Sequence, residues 1–275
     1  MTDLPPVPDS AQLLELAERL AREAGDMLLG GADGLRVDVG TKSSATDMVS
    51  EMDRASEAHI VKGILAERPH DAVLGEETGG RDGTSGVRWV IDPLDGTTNY
   101  LYRHPTWSVS IGVEVDGEVH VGVVAAPGLD EVFTAVRGDG ARLNGEPIAV
   151  SKATDLASAL VATGFAYVAR RRARQAAVLP PLLPEVRDIR RNGVASLDLC
   201  WVACGRLDAY FEAGGQPWDV AAGLLIATEA GAATAGLDGG PVSPESVMVA
   251  APGVAPALFD LLVRLGAAEP LTVHH

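Results

Sequence analysis

Two carboxylates three residues apart follow an apolar run in Trp89-Val90-Ile91-Asp92-Pro93-Leu94-Asp95-Gly96-Thr97-Thr98-Asn99-Tyr100. Val90 and Ile91 suit a buried strand. Asp92-Pro93 is expected to stop that strand, because proline removes a ladder donor and restricts the residue before it. Asp92 and Asp95 then stand at a strand end, where open α/β sheets place their ligands. Gly96 allows close backbone approach. The amides and the two hydroxyls that follow suit a phosphate. Taken alone, the stretch fits an ordinary Asp-Pro/Asp-Gly turn as well as it fits a ligand site.

Three further acids fall at predicted element boundaries: Asp53 on a helix, Glu76 after a short strand, and Asp219 at a helix start. Each alone reads as a solvated acid or a cap. Asp219, in Gln216-Pro217-Trp218-Asp219, suits a first helical turn, where the dipole favours an anion. Together these oxygens suit a hard cation such as Mg²⁺, which keeps waters and bridges a few carboxylates to phosphate. No His/Cys cluster suggests zinc. Cys200 and Cys204, one helical turn apart, read as core thiols, and a cytoplasmic location follows from the low cysteine use.

The elements that must hold these acids are legible from periodicity. Residues 10–30 form an amphipathic helix with Leu13, Leu16, Ala17, Leu20, Ala24 and Leu28 on one stripe, and 31–45 a polar loop. A second helix covers 47–67 and carries Asp47, Ser50 and Asp53. The short strand 72–74 leads to Gly75-Glu76-Glu77, and 78–86 reads as a mobile surface loop. Asp116-Gly117 marks a hairpin between strands 108–115 and 118–126. Short β segments continue to about residue 150. Beyond it, strands at 159–163, 186–190 and 207–212 alternate with helices at 166–179, 194–204, 217–230 and 254–266. The chain is thus expected to be one domain over 1–275: helices plus an antiparallel sheet in 1–150, and alternating α/β in 151–275.

Composition narrows the partners. Of the 275 residues, 47% are hydrophobic, enough for a sizeable core, while no apolar run reaches membrane-spanning length. The N-terminus lacks the basic and apolar regions of a secretory signal. A net charge of −16 opposes binding to nucleic acid or anionic membranes. Clustered carboxylates holding divalent cations would reverse that charge locally for a phosphate. With 4% aromatic residues there are few platforms for nucleobases, so a small polar substrate fits better.

Four blocks resemble the inositol monophosphatase family, within the lithium-sensitive, metal-dependent sugar phosphatases. They are Lys42 to Asp53, Gly75-Glu76-Glu77, Trp89 to Asn99, and Gln216 to Gly223. The resemblance implies a layered α-β-α-β-α sandwich (an α/β fold), usually dimeric. It implies one Mg²⁺ at Glu76, Asp92 and the Leu94 carbonyl, and a second at Asp92, Asp95 and Asp219. Asp53 and Thr97 would orient the nucleophilic water, with a third Mg²⁺ at Glu76. Gly96 and Thr97 would cradle the phosphate, and Asp95, Gly193, Val194, Ala195, Glu212 and Asp219 would read the polyol. Gly193-Val194-Ala195-Ser196 departs from the family's usual Gly-Thr/Ser-Ala-Ala, so Ser196 is expected to alter the polar contacts of the pocket. The arginines of 170–174 read as a solvated helix face.

These features point to a Mg²⁺-dependent phosphomonoesterase that releases myo-inositol, inhibited by Li⁺ and acting as a homodimer on a small phosphorylated polyol. The same chemistry on histidinol phosphate, fructose 1,6-bisphosphate or a 3′-phosphoadenosine nucleotide is one alternative. A non-enzymatic protein on this fold, acting on RNA or the transcription machinery, is the other.

Overall fold

The computed structural model describes residues 9–32 and 45–268. The first block's Lys42-Ser43-Ser44 and most of the predicted 31–45 loop lie outside them. Helix α1 (Ser10–Ala32) buries its predicted stripe from Leu13 to Leu28. With α2 (Ala45–Glu67) it covers one face of an eight-stranded sheet. That sheet runs β2-β1-β3-β4-β5-β6-β7-β8. Its strands are β1 (Ala72–Gly75), β2 (Gly79–Arg81), β3 (Val87–Asp95), β4 (Ser108–Val115), β5 (Glu118–Ala126), β6 (Glu131–Val136), β7 (Gly140–Leu143) and β8 (Glu146–Ile148), and α3 (Thr97–Leu101) follows β3.

A five-stranded sheet of order β10-β9-β11-β13-β12 is built from β9 (Leu160–Thr163), β10 (Asp188–Arg190), β11 (Ala209–Ala213), β12 (Ala233–Ala235) and β13 (Ser246–Ala250). Between the sheets lie α6 (Ala195–Ala203) and α7 (Pro217–Glu229). Helix α4 (Ala169–Ala177) and the short α5 (Leu179–Leu182) follow β9, and α8 (Ala255–Arg264) closes the chain; Leu182 of α5 and Leu258, Leu261 and Leu262 of α8 pack on the outer face. The layers run α-β-α-β-α. Strand alternation builds them: Val123 and Ala125 join the core under α1, whereas Val124 and Ala126 join the core under α7. Likewise Tyr210 and Val249 face inward, and Phe211 and Met248 outward.

Two expectations need correction. The first sheet is not wholly antiparallel, because β1 pairs in parallel with β3. The predicted mobile loop at 78–86 contains β2, which pairs antiparallel with β1 as an exposed edge strand. Glu57 explains the second point. Fully buried on α2, it accepts the amides of Glu77 and Thr78, both at 2.8 Å, and the Thr78 hydroxyl, which turns the chain back on itself. Among the described residues, no helix is long and apolar enough to cross a membrane.

Small residues let α7 sit close to the sheet. A Cβ on Gly122 would lie 2.7 Å from the Ala222 carbonyl oxygen, and one on Gly112 would lie 2.9 Å from the Ala221 Cβ. Gly122→Ala should therefore push α7, and Asp219 with it, off the sheet. Urea unfolding is expected to show a loss of about 1–3 kcal/mol. A variant as stable as the parent would contradict this packing.

Candidate active site

Strand β3 does not stop at Asp92-Pro93. It continues to Asp95, and its pairing slips between Asp92 opposite Ser110 and Asp95 opposite Ser108. Three steps on β3 match two on β4, so one extra residue bulges out, and proline is tolerated there because a bulge frees a residue from the ladder. The bulge is pinned from three sides. The Ser56 hydroxyl donates to the Pro93 carbonyl at 3.0 Å. The Leu94 amide donates to Asp92 Oδ1 at 3.0 Å. The Thr97 hydroxyl donates to the Leu94 carbonyl at 3.2 Å, while the Leu94 side chain is buried in the core.

Gly96 is required on two counts. Its φ is +91°, and a Cβ there would meet Val194 Cγ2 at 2.7 Å. The predicted Gly-Thr-Thr turn opens α3, which is held by Tyr100. The Tyr100 hydroxyl donates to the Leu28 carbonyl at 2.6 Å, and its ring meets Trp107 edge-on at 5.2 Å.

The five acids gather around this bulge, and their ionisation registers it. Asp53, Asp92 and Asp95 are buried, Asp219 is half-buried, and Glu76 is exposed as a residue. Burial, then the charges of Glu76, Glu77 and Glu57, push Asp53 up to about 8. Asp95 rises to about 8 through burial and then Asp219, against the hydrogen bonds of Ser196. Although Glu76 keeps solvent contact, desolvation of its carboxyl and the Asp219 charge raise it to about 7. Asp92 is driven well above the carboxylate range by burial and then by Asp95, Glu76, Asp219 and Asp53. Asp219 is raised by burial, opposed by the Gln216 amide that it accepts at 2.7 Å in a capping box. Among the described residues none of the five forms a salt bridge. Asp53 Oδ1 is buried with no hydrogen-bond partner among the described residues.

Acids that repel one another, with no salt-bridge partner among the described residues, make an all-oxygen donor set suited to a hard divalent cation. Among the described residues, however, no three His, Cys, Asp or Glu side chains converge tightly enough to hold an ion. Hydrogen bonds within the protein occupy Asp95 Oδ2, Asp219 Oδ2 and the Leu94 carbonyl.

Beside the acids lies a cavity of about 100 Å³. Asp95, Gly193, Val194, Ala195, Glu212 and Asp219, all expected to read the substrate, line it together with Gly164, Phe165, Tyr167, Arg191 and Asp198. Glu76, Gly96 and Thr97 do not. The Tyr210 hydroxyl donates to Glu212, and a Cβ on Gly164 would overlap the Glu212 carboxylate. Arg191 stacks over Phe165 with its guanidinium carbon 5.9 Å from the ring centroid. Arg171 and Arg174 instead border a larger cavity, of about 690 Å³, at Gly214 and Leu265–Ala268.

Ser196 acts on the cavity through Asp95. It is fully buried and does not itself line the cavity; its amide and hydroxyl donate to Asp95 Oδ2 at 2.8 and 2.6 Å. It therefore orients an acid. Ser56 and Glu57 were also missed as supports of the site. The only signal was Glu57 lying one helical turn after Asp53.

Fold and site together define a class of layered α/β protein with a buried acid cluster next to a small polar cavity. Residues 9–267 match the family model described as "Inositol monophosphatase family". The chain belongs to the inositol monophosphatase family, whose members are metal-dependent. It is 42% identical over 285 aligned positions to the Inositol-1-monophosphatase of Mycobacterium leprae, covering 96% of this chain and 97% of that one. It is 43% identical over 233 positions to the Nus factor SuhB of Pasteurella multocida, covering 83% and 86%. The solved inositol monophosphatase of Anabaena (Nostoc) sp. PCC 7120 superposes with a TM-score of 0.84 at 35% identity, covering 94% of this chain and 97% of that one.

The raised acids give a signed pH dependence. The folded state holds protons on Asp53, Asp95 and Glu76 that the unfolded chain has released, so stability falls as pH rises from about 4 to about 8. In chelator, the melting temperature should drop by about 5 °C or more over that range. Millimolar Mg²⁺ should restore it, most strongly at pH 8, because a ligand bound to the folded state alone stabilises it. A melting temperature that rises with pH in chelator would contradict this account.

Proposed function

We propose that this protein is a Mg²⁺-dependent phosphomonoesterase that hydrolyses inositol monophosphate to myo-inositol and phosphate. The observation that carries the reading is the set of mutually repelling acids, without a salt bridge among the described residues, beside a small polar cavity. In this reading Glu76, Asp92 and the Leu94 carbonyl would hold one ion, Asp92, Asp95 and Asp219 a second, and Glu76 a third. The acids must draw in from their present hydrogen bonds to do so. When bound, such cations supply an acidified water near neutral pH and neutralise the phosphate oxygens.

The chain's own residues do the rest. Asp53 and Thr97 orient the attacking water, and the Asp53 carboxylate, ionised once cations neutralise the acids around it, takes its proton. The amides after Gly96 donate to the phosphate oxygens. Glu212 and Asp219 accept hydrogen bonds from the polyol, and Gly193, Val194 and Ala195 shape its wall. A volume of about 100 Å³ favours one ring over a nucleotide.

A second reading is favoured by the relative called Nus factor SuhB: a role as a protein factor that needs no hydrolysis. Phosphate release should be measured over inositol monophosphates, histidinol phosphate, fructose 1,6-bisphosphate and 3′-phosphoadenosine nucleotides, with and without Mg²⁺. Turnover is expected to be Mg²⁺-dependent, greatest on inositol monophosphate, and inhibited by millimolar Li⁺. Asp92→Asn should abolish it, and Asp53→Asn should lower it by about 100-fold or more. No release from any ester, or a cellular role untouched by Asp92→Asn, would favour the second reading.

A further inference from the structure

We propose that Asp198 is a positioning residue that ties the wall of the polyol cavity to the helix carrying the phosphate-binding turn. The inference rests on the phosphatase reading above and adds a residue to it. Asp198 lies in the first turn of α6, is 1% exposed, and lines the cavity. An isolated buried carboxylate is unfavourable, so its retention needs a partner. Asn192 is that partner: its side-chain amide donates to Asp198 Oδ1 at 2.5 Å.

The connection continues. The Asn192 carbonyl accepts Asn99 Nδ2 at 2.8 Å. The same nitrogen reaches the Thr106 carbonyl at 2.8 Å and the Thr106 hydroxyl at 3.1 Å. Asn99 sits on α3, two residues after Thr97. Asp198 thus orients Asn192, Asn192 docks on Asn99, and the Gly193-Val194 wall between them is set against Gly96. Without the Asp198 acceptor, Asn192 is free to turn, and the wall loses its register with the turn at Gly96. A ring held by that wall would then present its phosphate off line, and small misplacements of reacting groups cost large factors in rate.

The test is steady-state kinetics of the full-length protein with Mg²⁺ on two substrates. Inositol monophosphate offers a polyol for the cavity wall to read; p-nitrophenyl phosphate offers none. Asp198→Ala should lower kcat/KM for inositol monophosphate by about 10–100-fold, mainly in kcat, and change p-nitrophenyl phosphate by less than threefold. Asp198→Asn keeps an acceptor oxygen and should restore most of the loss. Asn192→Ala should reproduce Asp198→Ala, and the double variant should be no worse than either single one. Equal losses on both substrates, a loss in Asp198→Asn as large as in Asp198→Ala, or unchanged kinetics would overturn the proposal. A wild type that releases phosphate from neither ester would overturn the phosphatase reading, and the present inference with it.

Discussion

Mutual repulsion among buried carboxylates is the constraint on which this structure turns. Asp92 lies within the field of Asp95, Glu76, Asp219 and Asp53, and every one of those charges raises it further. A fold selected for stability alone would pair or remove such groups, since unpaired buried charge is among the most destabilising features a core can hold. Among the described residues none of the five acids forms a salt bridge. Arg54 lowers Asp53, but burial and the charges of Glu76, Glu77 and Glu57 outweigh it.

Holding these groups together requires rigid supports, and the layered architecture provides them from separate parts of the chain. The Asp92–Asp95 pair rides on a bulge buried between α2 and the central sheet, with Ser56 fixing its backbone. Ser196, 101 residues away, reaches across from the middle helical layer to fix Asp95. Asp219 is fixed by its own helix cap, and that helix can approach the sheet because Gly112 and Gly122 leave room for Ala221 and Ala222. The acids therefore come from both halves of the chain, while the α7 layer shares its core with both sheets.

Much of this was legible in the order of the residues. The α1 stripe, the Asp116-Gly117 hairpin with φ of +51° and +88°, and the helix opening at Gln216-Pro217 all followed from local rules. So did the choice of acids, since hard oxygen ligands at element ends carry their own chemical meaning. What was not legible depends on distant partners. Pro93 reads as a strand stop unless the slip against β4 is known. Residues 79–81 read as a loop because nothing nearby in sequence reveals that Glu57 gathers their turn. That Ser196 acts through Asp95 is not legible either, because their bond joins positions that only the layering brings together.

The central claim is that the acid cluster is maintained against its own repulsion in order to take up divalent cations. Calorimetric titration of the protein with Mg²⁺ at pH 7, repeated in buffers of different ionisation enthalpy, tests it most directly. The account predicts saturable binding accompanied by proton release, because acids raised to about 7 and 8 must ionise to coordinate a cation. It also predicts that Asp92→Asn loses most of both signals. Absence of binding, or binding that releases no protons and is indifferent to Asp92→Asn, would contradict it.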